Sequence, residues 1–332
     1  MNILNLIRWK NLLMIALVQL LIKYALLEPF HAVIMFNWFG ITLLIIATLC
    51  LAAAGNIIND IYDVETDLVN KPHKVIIGKK VSEKTAYNLF IVFNVIGILI
   101  GFYLSHLVGR SGFFALFVII SALLYVYATY LKQTLLIGNI VVSLLVAMSI
   151  LIVGLFELLP AITPQNQPTQ LFFFKILLDY AMFAFIINLV REIAKDLEDV
   201  DGDYKTGMNT LPIAIGRERA AKVLFGLTLV PLFGVVYYVM TYMYKQPISV
   251  GYFLLFVIAP LIYITIKSFS AKTKKEFHHI STIFKFVMLF GMLSLLLNYT
   301  VLKVEARNAK TEAHVSITES EPIETLNFEY TN

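Results

Sequence analysis

A series of apolar runs, each about 20 residues long, most limits how this chain can fold, since a helix of that length spans a bilayer. The runs fall near 11–36, 38–59, 86–108, 112–131, 136–158, 170–191, 221–243, 249–268 and 281–302. Lipid offers backbone amides and carbonyls no partner outside the segment, so each run is expected to cross as a helix. A membrane barrel would alternate polar and apolar residues, whereas these runs are apolar all round. Composition points the same way. With 59% hydrophobic and 14% charged residues, the chain has too little charge to cover a water-soluble protein of 332 residues. The expected fold is an all-α polytopic membrane protein, with about nine transmembrane helices in residues 1–303. In 304–332, Glu305, Glu312, Glu319, Glu321, Glu324 and Glu329 lie among Ser, Thr and Asn without an apolar period. That stretch is expected to be a disordered acidic tail.

The first run, Leu12 to Leu27, is interrupted by Gln19 and Lys23 and lacks a small-residue cleavage site, so it reads as a retained helix rather than a signal peptide. Cys50 is the only cysteine, which excludes an internal disulfide framework. The net charge of +4, without a basic-aromatic cluster, gives no reason to expect nucleic acid as a partner. The basic residues instead report orientation. Arg8 and Lys10; Lys71, Lys74, Lys79, Lys80 and Lys84; Lys132; Arg191 to Lys222; and Lys267 to Lys275 occupy alternate loops. By the positive-inside rule those loops are cytoplasmic, placing the N-terminus inside, the C-terminus outside and the protein in the cell (cytoplasmic) membrane.

Two acidic stretches carry the chemistry. Asn56, Asp60, Asp63 and Asp67 are spaced 4, 3 and 4 residues apart, as are Glu192, Asp196, Asp199 and Asp203. On a helix each set forms one narrow stripe. Four apolar runs separate the two sets, and an even number of crossings returns both to the same side of the membrane. A lone Asp at a membrane helix end is ordinarily just solvated, but a register repeated at matched depth is not so explained. The six aspartates repel one another and are costly to desolvate without a cation. Hard oxygen donors suit Mg²⁺, which takes one or two carboxylates together with phosphate oxygens and water. Two stripes flanking a cavity can therefore hold Mg²⁺ against a diphosphate. Gly202 is a point where the second helix can break, in which case Asp203 would reach in from a loop.

Lys71 and Lys74 follow the first stretch, Arg191 and Lys195 flank the second, and Lys132 closes the fourth run. All are candidates to grip the diphosphate, although lysines and arginines here also set topology. Tyr125, Tyr127 and Tyr130 end the fourth run, where aromatic belts are common. Tyr127 is kept as a site residue because an allylic cation gains from an aromatic face. The group Lys272, Lys274, Lys275, His278 and His279 is expected to contact anionic lipid.

These residues resemble the UbiA superfamily of intramembrane prenyltransferases. Its N-D-x-x-D-x-x-x-D motif is met by Asn59, Asp60, Asp63 and Asp67. Its second motif is met by Asp196, Asp199 and Asp203, followed by Lys205, Gly207 and Thr210-Leu211-Pro212. Tyr127 to Lys132, then Gly138-Asn139, matches a further segment. The run from Lys195 to Asp203 is most similar to the digeranylgeranylglyceryl phosphate synthase branch. The resemblance implies helices around a central cavity and Mg²⁺-dependent transfer of a prenyl group from an allylic isoprenyl diphosphate to a lipophilic acceptor, here geranylgeranyl transfer to a prenyl ether of glycerol phosphate. It implies Asp63, Asp67, Asp199 and Asp203 as catalytic metal holders, supported by Asn59, Asp60 and Asp196. Asn59, Lys71, Lys74, Tyr127, Lys132, Arg191 and Lys195 would bind the diphosphate donor. One departure is Asn70-Lys71-Pro72-His73-Lys74-Val75, where many members carry N-R-P-x-R-P, so bidentate guanidinium contacts are replaced by ammonium groups. Two other readings stay open: an aromatic prenyltransferase of quinone, haem or chlorophyll type, and a cation transporter. A transporter would place its acids near the midplane at broken helices, not at span ends beside lysines.

Overall fold

The structure is a computed structural model that describes the backbone of residues 2–320 and side chains through Leu297. Among the described residues, nine helices are long and apolar enough to cross a membrane. They are α1 (Trp9–Phe30), α2 (Trp38–Tyr62), α3 (Glu83–Leu107), α4 (Ser111–Thr129), α5 (Ile137–Ala161), α6 (Gln167–Lys205), α7 (Arg217–Met243), α8 (Pro247–Ser270) and α9 (Lys274–Leu297). The chain is an integral, multi-pass membrane protein. Short helices at Asn2–Leu6, Val64–Asn70 and Leu211–Ile215 lie between or before the spans. The backbone of α9 is followed as helix to Ser320, into the first part of the expected 304–332 tail; residues 321–332 lie outside the described residues.

Local chemistry starts these helices where the sequence allows. Asn37 caps α2 by accepting from the amides of Phe39 and Gly40 at 3.1 and 3.0 Å, and Ser82 caps α3 by accepting from Thr85 at 3.2 Å. The spans then pack as a ring: α1 on α2, α2 on α4, α4 on α5, α5 on α6, α6 on α7, α7 on α8, α8 on α9, and α9 back on α1. Helix α3 stands outside this ring, behind α2 and α4. Three apolar cores form: one mainly among α1 to α5 and the first half of α6, one among the second half of α6 and α7 to α9, and a small one of Leu6, Ile57, Ile77, Val81 and Ala86.

In lipid, apolar surface alone does not drive helices together, so close packing and interhelical hydrogen bonds carry the association. Gln19, which interrupts the first apolar run, donates to Thr48 of α2 at 3.2 Å and to the Ser149 carbonyl of α5 at 2.9 Å. Asn188 of α6 donates to Ser143 of α5 at 3.1 Å, and Ser121 of α4 donates to Asn94 of α3 at 2.6 Å. At the end of the bundle away from the acidic motifs, Lys23 of α1 meets Glu157 of α5 at 2.7 Å, both wholly buried. This pair joins α1 to α5 across the ring and closes that end.

Candidate active site

The two acidic stretches reach the same end of the bundle by different routes. Helix α2 stops at Tyr62, and Asp63 adopts φ −94° and ψ 0°, the bridge region between helix and strand. The chain then resumes as the separate Val64–Asn70 helix. The first stripe is therefore not one helix face: Asn59 and Asp60 lie on α2, Asp63 forms the joint, and Asp67 lies on the short helix. The second stripe is continuous. Helix α6 runs 39 residues without a break, so Asp203 projects from the helix and not from a loop.

The reason Gly202 does not break α6 lies in its neighbour. Asn70 accepts from the Gly202 amide at 3.0 Å and donates to the Asp199 carbonyl at 2.9 Å. A Cβ on residue 202 would lie 2.3 Å from Asn70 Nδ2, so glycine here permits close docking of the Val64–Asn70 helix on α6. Gly202→Ala is expected to cost about 1–3 kcal/mol of stability through overpacking. By displacing Asp67 and Lys71 it should also slow catalysis on the order of 10²-fold. Thermal unfolding and a turnover assay on the same preparation test both effects; unchanged values in each would mean that the docking is unimportant.

Every residue expected at the site lines one cavity of about 890 Å³ at the centre of the ring. Asp60 and Asp63, at the end of α2, stand on one wall; Asp196, Asp199 and Asp203 stand on α6, and Asp67 on the short helix docked against α6. Below them the lining turns apolar, with Val18, Leu51, Leu124, Ile150, Ile187 and Val287 contributed by six different spans. Helix α3 contributes nothing, as its place outside the ring requires. Of the three tyrosines, Tyr127 lines the cavity while Tyr125 and Tyr130 are exposed on the outer surface.

Most of the basic groups are already paired with the acids. Lys132 meets Asp63 at 2.5 Å, and Lys71 meets Asp199 at 2.8 Å and Glu198 at 3.3 Å. Burial alone would lower the Lys71 pKa, but the charges of Asp199 and Glu198 raise it instead. Arg191 and Lys195 both donate to Glu192, each at 2.7 Å. Lys74 lines the cavity with no side-chain partner among the described residues. Burial, then the charges of Asp63 and Asp60, push the Asp67 carboxyl up to about 6. The cavity thus holds more negative charge than its own cations neutralise.

Several residues at the site escaped sequence reasoning. Arg8, counted only as a topology charge, donates to Asp60 at 2.6 Å from a left-handed turn at φ 53°. Asn139 donates to Asp196 at 2.7 Å. The expected lipid-binding group at the start of α9 divides. Lys274 donates to the Asn70 carbonyl at 2.9 Å, and His278 Nδ1 lies 3.1 Å from Glu198, so both face the site instead of lipid. No local signal marks Arg8; its partner is 52 residues away.

Several oxygens at this end of the cavity are free to take Mg²⁺. Asp67 and Asp203 have no side-chain partner among the described residues, and Asn59 Oδ1 and Asp199 Oδ1 are buried with none. Unsatisfied buried oxygens are costly, and these are hard donors suited to that ion. Among the described residues, no three His, Cys, Asp or Glu side chains converge closely enough to hold an ion by themselves.

Comparison with known proteins agrees with this geometry. The sequence pattern of the UbiA prenyltransferase family matches residues 30–289. A digeranylgeranylglyceryl phosphate synthase from Methanosphaera stadtmanae is 30% identical over 258 residues, 76% of this chain and 86% of that one. A solved structure of a digeranylgeranylglyceryl phosphate synthase in membranes superposes with TM-score 0.60 at 21% identity, covering 90% of this chain and 97% of the other. A UbiA homologue from Archaeoglobus fulgidus, bound to GPP and Mg²⁺, superposes with TM-score 0.55 at 17% identity, covering 89% of this chain and 99% of that one.

Proposed function

The chain belongs to the UbiA prenyltransferase family, and from that premise we propose that it moves a geranylgeranyl group from its diphosphate to the hydroxyl of geranylgeranylglyceryl phosphate, with Mg²⁺, at the cytoplasmic face of the cell membrane. The observation that carries this reading is a single cavity of about 890 Å³ lined by the carboxylates of both motifs and, beyond them, by apolar side chains. The upper part suits a metal-bound diphosphate and the lower part an isoprenoid chain. Acidic motifs and lysine-rich loops share one end of the bundle, which is the basis for the cytoplasmic orientation.

In this reading Asp63, Asp67, Asp199 and Asp203 hold the ion, with Asn59, Asp60 and Asp196 beside them. Bound Mg²⁺ supplies positive charge that stabilises the leaving diphosphate. Lys71 and Lys132 neutralise Asp199 and Asp63 before substrate enters. On donor binding they turn to phosphate oxygens, where Lys74 joins them. Arg191 and Lys195, expected to bind the diphosphate as well, are held on Glu192 and line the same cavity. Tyr127 lines the same chamber and offers an aromatic face to charge developing on the allylic carbon. The bond between that carbon and the diphosphate oxygen breaks, and its electron pair leaves with pyrophosphate. The acceptor oxygen bonds to the carbon, and its proton is taken up by the departing pyrophosphate.

The test supplies purified protein with labelled geranylgeranyl diphosphate, Mg²⁺, and separate lipid and aromatic acceptors. The expected result is a phosphate-bearing diether and Mg²⁺-dependent pyrophosphate release. Transfer only to an aromatic acceptor would replace the proposed acceptor while leaving the prenyl chemistry intact.

A further inference from the structure

Helices α6 and α9 run antiparallel and meet where His278 lies 3.1 Å from Glu198. Seven residues onward along α9 is Lys285, and seven residues back along α6 is Arg191. Seven residues make nearly two turns, so these two share a face and a depth, about 10 Å further into the membrane. Both line the cavity, and one such step deeper Met292 and Ala184 line it too. Lys285 has no hydrogen bond or ion pair among the described residues. Arg191, Lys195, Arg8 and Glu192 are the charged groups that act on it electrostatically.

The pairing leaves charge over. Both carboxylate oxygens of Glu192 are taken, one by Arg191 and one by Lys195, and Arg8 is committed to Asp60. Three cations, Arg191, Lys195 and Lys285, therefore face two carboxylates, Glu192 and the Asp196 that lies within electrostatic reach of Lys195, a surplus of one positive charge. Arg191 Nε is also buried without a partner. An unpaired lysine within a membrane span is costly and marks a functional position. It lies one to two turns deeper than the acids of the second motif, which begin at Asp196.

We propose that Lys285, backed by Arg191 and Lys195, binds the phosphate headgroup of the acceptor lipid. An uncommitted ammonium, with a second free donor at Arg191 Nε, matches a phosphate monoester. The assignment rests on the reading above that the acceptor carries a phosphate. It separates the two anions of the reaction. The donor's diphosphate lies among the carboxylates of the two motifs, and the acceptor's phosphate lies deeper, against α9. The acceptor hydroxyl, a few bonds from its phosphate, is thereby held beside the allylic carbon.

The experiment compares wild type, Lys285→Gln and Lys285→Arg on geranylgeranylglyceryl phosphate and on the same lipid without its phosphate. Lys285→Gln should raise KM for the phosphorylated acceptor about 10–100-fold, the worth of a charge-assisted hydrogen bond, without raising KM for the donor. Its preference for the phosphorylated lipid should vanish, and Lys285→Arg should restore much of it. A rise in donor KM, or an unchanged preference, would overturn the proposal. Binding of a saturated glycerol-phosphate ether, measured by thermal shift without donor, keeps the test independent of turnover. Binding lost in Lys285→Gln supports the anion site even if wild type does not prenylate that lipid, in which case the acceptor reading alone fails. Equal binding by both proteins sinks the site itself.

Discussion

Replacing Asp63 and Asp199 together with alanine is expected to abolish prenyl transfer while leaving folded protein. The two residues belong to different motifs lining the cavity and are each neutralised by one lysine, Lys132 and Lys71. Removing both takes a metal-holding carboxylate from each motif at once. A loss of at least about 10³-fold in rate is expected, equivalent to ~4 kcal/mol of transition-state stabilisation. Asp201 is the control, since it is exposed on α6 and does not line the cavity. Asp201→Ala should transfer at the normal rate. Turnover of labelled donor, with gel filtration and circular dichroism on the same samples, decides the matter. Full activity in the double variant would refute the metal-diphosphate site.

The second large effect is on stability, at the far end of the bundle. Lys23 sits in a six-residue π-helical stretch, Ile22–Leu27, within α1. Its ammonium donates to Glu157 at 2.7 Å and to the Phe36 carbonyl at 2.5 Å. The other Glu157 oxygen accepts from the Phe36 amide at 2.9 Å. One ion pair thus ties α1, the turn leading into α2, and α5. Lys23→Met leaves Glu157 buried without its countercharge and is expected to cost about 3–5 kcal/mol. Adding Glu157→Gln removes the stranded charge while keeping an acceptor for Phe36, so the double variant should recover most of the loss. Thermal unfolding of detergent-solubilised protein measures both. A single variant as stable as wild type would show that the pair contributes nothing.

Much of the site was legible because its signals are local. The repeated 4, 3, 4 spacing of the acids and the four crossings between them sufficed to bring both stripes to one end. Every expected site residue does line the cavity. What the spacing did not reveal is the joint at Asp63, since the same register is compatible with a straight helix. The break that Gly202 allows does not occur, for the opposite reason. Glycine weakens an isolated helix, but here the absent Cβ lets Asn70 dock on α6 and brace it.

Lysines show the division most plainly. Lys23 was legible only as a polar interruption of an apolar run, and Lys285 lies within the ninth run, 281–302. The first is buried against a partner 134 residues away, and the second faces a cavity lined by eight of the nine spans. By itself the sequence determined that the chain crosses the membrane as helices, where those helices lie, and that two acid stripes share one end. Hydropathy and helical period depend only on neighbours along the chain, so a single sequence carries them. Tertiary structure alone decided which lysine neutralises which acid, where α2 ends, and that Arg8 and Lys285 border the site. Those outcomes depend on distances between helices remote in sequence, and such distances exist only once the ring has closed.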